Sequence, residues 1–136
     1  VGTFTCATYC PYDVRRFNWR TYKFEQPLDN QLNPDVTVRE MGVMEKCTFC
    51  IQRIRVAKDK AKDEGREVQD GEIQPACVQS CPTGAMTFGD LQDPSSKVAK
   101  LAKSPRRYRL LEELNTDPSV IYLKRVMNDG AGTHEE

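Results

Sequence analysis

Six cysteines fall into two frames, Cys6-x3-Cys10-Pro11, and Cys47-x2-Cys50 followed by Cys77-x3-Cys81-Pro82. Thiolate sulfur is a soft donor, suited to iron–sulfur clusters and zinc rather than to hard cations. The Cys-Pro step, used twice, separates those two. Bacterial-type iron–sulfur runs read C-x2-C-x2-C-x3-C-P, and the fourth cysteine ligates the neighbouring cluster in two-cluster ferredoxins. Proline fixes its own φ and removes a backbone N–H, so the chain turns away just after the last ligand. Cys6, Cys10, Cys47, Cys50, Cys77 and Cys81 are therefore read as the cofactor- and metal-binding residues.

Two other cysteine chemistries fit less well. A zinc staple from Cys47, Cys50, Cys77 and Cys81 would close a tetrahedral structural site. It leaves Cys6, Cys10 and both Cys-Pro steps without a role. Disulfides are poorer still, because close pairs such as C-x2-C belong to metal and redox sites.

Reading back from Cys10-Pro11, Cys6 is the third ligand of its run and Thr3 stands at the second. The first would precede Val1, so the sequence reads as the C-terminal part of a longer polypeptide. A threonine hydroxyl is hard and normally neutral, a poor substitute for thiolate at iron. The cluster at Cys6 is therefore expected to lack its corner iron and to be [3Fe–4S], with [4Fe–4S] clusters elsewhere.

Composition limits the alternatives. Of 136 residues, 38% are apolar and 29% charged, so the core is modest and ligands or a partner surface must supply stability. Lys+Arg and Asp+Glu balance at 20 each, which argues against a nucleic-acid-binding surface. No apolar run approaches the roughly 20 residues of a membrane-spanning helix, so membrane association would run through partner subunits. His134 is the sole histidine and lies in a polar tail over 128–136. No phosphate loop and no Ser/His/Asp set can be assembled, so no catalytic residue is assigned.

The elements that position the cysteines are short. Residues 20–42 read as an irregular insertion, with Val36-Thr37-Val38 as a short strand. Cys47–Glu64 reads as a helix with Cys50, Ile54, Ala57 and Ala61 on one face and Gly65 as its stop. A helical turn over Pro75–Cys81 carries the last two ligands, and Ala85–Phe88 is an expected strand. Asp93-Pro94 and Ser104-Pro105 predict helices over 94–103 and 105–114. Val98, Leu101, Leu110, Leu111 and Leu114 would be their buried stripe, with Val120–Leu123 a further strand. The fold class is α+β: a ferredoxin-like cluster-binding domain of short β-hairpins and helices over 1–91, then a helical extension and tail over 92–136. Tyr12, Arg15, Arg16, Phe17, Trp19 and Tyr22 form an aromatic–basic stretch after the first Cys-Pro step, suited to shielding a cluster. Arg15 and Arg16 would offset its negative charge.

The words Cys6-Ala7-Thr8-Tyr9-Cys10-Pro11-Tyr12-Asp13-Val14-Arg15-Arg16-Phe17-Asn18 and Gly42-Val43-Met44-Glu45-Lys46-Cys47-Thr48-Phe49-Cys50 resemble the four-cluster ferredoxin-like subunits of the molybdopterin oxidoreductase superfamily. Val1-Gly2-Thr3, Pro82-Thr83-Gly84-Ala85, Phe88-Gly89-Asp90-Leu91 and Leu110-Leu111-Glu112-Glu113-Leu114-Asn115-Thr116 narrow the resemblance to the iron–sulfur subunits of alternative complex III. The resemblance implies nested pairing: Cys47, Cys50 and Cys77 on one cluster, Cys81 on its neighbour, Cys6 on a third and Cys10 on a fourth. From the residues alone, a self-contained two-cluster ferredoxin stays open. It further implies an electron conductor without substrate chemistry, on the periplasmic face of a bacterial inner membrane. Its partners would be the rest of the same subunit, integral-membrane quinol-binding subunits and c-type cytochromes. The electron-transfer subunit of a polysulfide or dimethyl sulfoxide reductase is the alternative within the superfamily.

Overall fold

A computed structural model describes residues 2–127; the tail with His134 lies outside them. In order, the elements are α1 (Thr5–Thr8), β1 (Arg16–Phe17), β2 (Met44–Glu45), α2 (Ile51–Asp63), α3 (Ala76–Gln79), α4 (Lys97–Ala102), β3 (Arg107–Tyr108) and β4 (Tyr122–Leu123). Single 3-10 turns lie at Leu28–Gln31 and Glu112–Leu114. β1 pairs antiparallel with β2, and β3 with β4, as two separate two-stranded ribbons. Short helices and short strands are what the sequence implies.

The first ribbon joins the two cysteine frames. It opposes Arg16 to Glu45 and Phe17 to Met44, and Asn18 extends the ladder to Val43 O at 2.9 Å and from Gly42 N at 2.8 Å. The chain leaving Cys10 thus lies beside the chain entering Cys47. The insertion bulges from this ribbon with little regular structure. Val36–Val38 is not a strand. Asn33-Pro34 makes a turn that takes the Val36 N–H onto Asn33 O at 3.1 Å, and no partner strand among the described residues runs alongside.

The long helix starts later than its apolar period suggests, at Ile51 rather than Cys47. Phe49 and Cys50 sit at φ 54° and 55°, which wraps the Cys47–Cys50 loop before the helix begins. It ends as expected. Gly65, at φ 64°, donates to Lys62 O, and Arg66 N reaches back to Ala61 O at 2.9 Å, the left-handed stop that favours glycine. Ala61 is fully buried, while Ile54 and Ala57 are half-buried on the same face, as is Cys50 just before the helix.

The region after Gly89 departs most from expectation. α4 begins at Lys97, not Pro94, because Ser96 is the true cap: its Oγ accepts from Ala99 N at 3.1 Å and donates to Asp90 O at 2.6 Å. Asp93 instead organises the preceding turn through Ser95. The helix over 105–114 is absent. Ser104-Pro105 forms a turn, with Arg107 N on Ser104 O at 3.1 Å, a use of Pro at its second position as natural as the first helical position. The chain then pairs with β4, where Tyr108 stacks on Tyr122 with ring centroids 5.5 Å apart, so the extension is one helix and a ribbon. Of the expected stripe, Val98 and Leu101 are half-buried, but Leu110, Leu111 and Leu114 are largely exposed. Val120–Leu123 is strand only at Tyr122–Leu123. Ala85–Phe88 runs without a partner strand among the described residues.

The core is very small. Among the described residues only Ala61, Pro75, Ser96 and Ala99 are fully buried. The chain exposes 11697 Å², where a compact monomer of this mass exposes about 7,200 Å². Burial within the chain is too slight to hold it together unaided. One point of close packing is Gly89, where an added Cβ would lie 2.8 Å from Asp70 Oδ1 and 3.0 Å from Val98 Cγ1. Asp70 cannot swing freely, because its Oδ2 accepts from Lys97 N at 2.9 Å. Gly89→Ala is expected to cost about 1–3 kcal/mol through overpacking, read as a lowered midpoint in denaturant unfolding.

Candidate iron–sulfur site

The two Cys-Pro frames fold into the same local structure. Cys6 and Cys77 each occupy the second position of a one-turn helix, α1 and α3. In each frame the helix closes in the same way: Tyr9 N on Thr5 O and Cys10 N on Ala7 O, then Ser80 N on Ala76 O and Cys81 N on Val78 O. A β-turn with proline at its second position follows, closed by Asp13 N on Cys10 O at 3.3 Å and Gly84 N on Cys81 O at 3.2 Å. Both turns end left-handed, at φ 47° and 61°. Proline supplies the fixed φ and has no N–H to leave unpaired, which is why the motif ends in Cys-Pro.

This backbone aims donors at sulfur. The N–H groups of Val14 and Tyr12 face Cys10 and hold its thiol below the ordinary pKa, helped by the Arg15 guanidinium. At Cys81 the Thr83 hydroxyl, 3.4 Å from the sulfur, and the N–H groups of Ala85 and Met86 bring the pKa to about 7. Phe49 N lies 3.4 Å from Cys47 Sγ, and Ala76 N lies 3.4 Å from Cys50 Sγ. Hydrogen bonds from backbone amides to ligating sulfur are a principal means by which proteins stabilise thiolate-bound clusters and set their potentials. All six cysteines are free thiols. The donor set fits an iron–sulfur cluster.

The Cys47–Cys50 stretch and the Cys77–Cys81 stretch are tied to each other. Cys50 Sγ receives the first N–H of α3, the helix that carries Cys77. Arg53, near the start of α2, forks onto Gln74 O at 2.8 Å and Gln79 Oε1 at 2.7 Å. Phe49 packs on Phe88 with centroids 5.6 Å apart. The loop between α2 and α3 is braced by Arg66, whose guanidinium meets both oxygens of Glu72 at 2.8 and 2.7 Å. That pairing draws the Glu72 carboxyl to about 2. Among the described residues no three His, Cys, Asp or Glu side chains converge to seat a single ion.

Cys6 lies exposed beside an aromatic cluster. Phe4, Phe17 and Trp19 pack with centroid separations of 4.7–5.5 Å, and Phe4 immediately precedes α1. Of the expected aromatic–basic stretch, Phe17 and Trp19 join this cluster, and both Trp19 and Tyr22 stay exposed. Arg15 is the arginine beside a cysteine sulfur; Arg16 turns to Asp13 at 3.7 Å. An open groove of about 1010 Å³ between the insertion and α2 is lined by residues such as Arg39, Ile51, Val56 and Lys60 and by none of the cysteines.

Thr83 had no assigned role in the sequence, although its place two residues after Cys81 is visible there. A hydroxyl donated to a ligating sulfur favours the more electron-rich, reduced cluster. With Cys81 as a cluster ligand, Thr83→Val is expected to lower that cluster's potential by on the order of tens of millivolts. Potentiometric titration reads the shift.

Paired Cys-Pro turns with amide donors on their sulfurs make a thiolate set of the kind that suits iron–sulfur clusters. No family profile matches the chain. It is 47% identical over 128 residues to the menaquinone reductase iron–sulfur cluster-binding subunit of Nitratidesulfovibrio vulgaris (strain Hildenborough), covering 92% of this chain and 50% of that protein. A Halobacterium salinarum protein, provisionally named as a dimethyl sulfoxide reductase iron–sulfur subunit, is 39% identical over 130 residues, 96% of this chain and 43% of its own. The Hdr-like menaquinol oxidoreductase iron–sulfur subunit 1 of Archaeoglobus fulgidus is 38% identical over 129 residues, 91% and 43% respectively. The chain spans half or less of the length of these three relatives. Their names agree on an iron–sulfur subunit of an oxidoreductase and differ in the complex it serves.

Proposed function

We propose that this chain carries electrons between cofactors of a quinol-linked membrane oxidoreductase, of the alternative complex III kind, through clusters held by Cys6, Cys10, Cys47, Cys50, Cys77 and Cys81. The observation that carries the reading is the duplicated Cys-Pro turn with its sulfur-directed donors. Bound clusters would supply one-electron transfer at potentials the protein sets. Under nested pairing, Cys47, Cys50 and Cys77 hold one [4Fe–4S] cluster and Cys81 its neighbour. Cys6 holds a [3Fe–4S] cluster opposite Thr3, and Cys10 the remaining one. Arg15, the amides at Tyr12 and Val14, and the Thr83 hydroxyl offset thiolate charge. Phe4, Phe17 and Trp19 form an aromatic cluster near Cys6 in sequence, a surface a partner could close over the cluster.

The exposed surface supports a place among partner subunits. A chain that exposes 11697 Å² and leaves Tyr9, Trp19, Leu28 and Val56 largely uncovered needs other protein against it. The rest of the same subunit is the first such surface, then membrane subunits that oxidise quinol and c-type cytochromes on the periplasmic face. Among the described residues no helix is long and apolar enough to cross a membrane, so partners would hold it there. A second reading, the electron-transfer subunit of a molybdopterin enzyme, is favoured by the dimethyl sulfoxide reductase relative.

Anaerobic addition of quinol to the intact complex tests the quinol reading. Bleaching of the cluster absorbance, reversed by an oxidised c-type cytochrome, is expected. Clusters that ignore quinol and are instead reoxidised by dimethyl sulfoxide or polysulfide would favour the molybdopterin reading.

A further inference from the structure

The segment over 110–117 contributes no ligand, yet its backbone is held in costly conformations. Leu111, Asn115 and Asp117 are all left-handed, at φ 50°, 53° and 46°. Non-glycine residues keep such angles where surrounding structure over-determines them. The Arg109 guanidinium closes the loop on Asp117, and β3 pairs with β4 at its base. What the loop presents is a pair of oxygens, Leu110 O and Thr116 Oγ1.

Both meet one side chain. The Tyr12 hydroxyl donates to Leu110 O at 3.2 Å and is hydrogen-bonded to Thr116 Oγ1. A phenol has one proton, so the set is satisfied when Thr116 donates to Tyr12 and Tyr12 donates to Leu110 O. Tyr12 is half-buried and is the third residue of the turn that Asp13 N closes on Cys10 O. The matching turn uses this position differently: Thr83 turns its hydroxyl to Cys81 sulfur. The two turns share a backbone but are anchored by different chemistry.

We propose that Tyr12 is a positioning residue that locks the Cys10 turn to the 110–117 loop, so that the C-terminal segment sets the presentation of Cys10 and the potential of its cluster. The proposal rests on the reading of Cys10 as a ligand. Tyr12 touches no ligating sulfur through its side chain; it acts through the turn. Freed of its anchor, the turn would sample orientations in which the Tyr12 and Val14 amides no longer face the sulfur. The oxidised state would then gain relative to the reduced one.

The test uses the intact protein and Tyr12→Phe, Thr116→Val and the double variant, with hydrogen–deuterium exchange and potentiometric titration of each cluster signal. Tyr12→Phe should quicken exchange roughly tenfold in peptides over both 9–15 and 109–117, leave α2 unchanged, and lower one cluster potential alone. Thr116→Val should do the same, the double variant should add little, and Thr116→Ser should restore both readouts. Faster exchange in only one of the two peptides would overturn the coupling. Coupled exchange with every potential unchanged would overturn the tuning, and so would equal shifts in all clusters. Wild-type protein lacking any cluster signal would refute the ligand reading, and the tuning with it, while the exchange data would still show whether the two loops are joined.

Discussion

Replacing Cys50 with alanine is expected to remove one cluster's complement of iron and to loosen the protein from the Cys47 loop through α3. Cys50 is placed to do two things. Its sulfur receives the Ala76 N–H at 3.4 Å in a half-buried position, and its backbone, at φ 55°, turns the Cys47 loop into α2. Alanine deletes the acceptor that joins α2 to α3 and, on the proposed reading, a cluster ligand. The binding energy of a structural metal group is folding energy, and this chain has little core to compensate. Iron per protein and limited proteolysis read the result: lower iron, with new cleavage near α3. The Arg53 fork to Gln74 and Gln79 remains, so α2 itself should persist. Unchanged iron content would remove Cys50 from the ligand set.

The other large effect concerns Thr3. It lies in exposed coil two residues before α1, close in sequence to Cys6 and at the second-ligand place of its run. Thr3→Cys would present a soft thiolate where a hard hydroxyl now stands. The expected outcome is conversion of a [3Fe–4S] cluster to [4Fe–4S], with a lower potential and loss of the oxidised paramagnetic signal. Paramagnetic resonance of the oxidised complex decides this, since an oxidised three-iron cluster is paramagnetic and [4Fe–4S]2+ is not. A wild-type complex without that signal would make Thr3 an ordinary loop residue.

What could be read from sequence is what is local. The Cys-Pro turns depend on contacts three residues apart and on the fixed φ of proline, so Cys10 and Cys81 announced them directly. α2 was legible from the spacing of Ile54, Ala57 and Ala61, and its end from Gly65. Its start was not, because Phe49 and Cys50 take left-handed angles that serve the sulfurs rather than the helix. The two ribbons are set by pairing between distant residues, Arg16 with Glu45 and Arg107 with Leu123, and two-residue strands carry no period to detect. The apolar spacing over 105–114 suited a helix, but the Ser104-Pro105 turn and the Tyr108–Tyr122 stack won. Tyr12 and Thr83 stand at the same place after Cys-Pro. Only the fold shows that one grips a distant loop and the other a sulfur.

Iron, acid-labile sulfide and zinc, measured together on the intact protein purified without air, test the central claim most directly. Iron and sulfide in near-equal amounts, enough for several clusters, are expected, with a broad brown absorbance that dithionite bleaches. A colourless protein with stoichiometric zinc and no labile sulfide would contradict it.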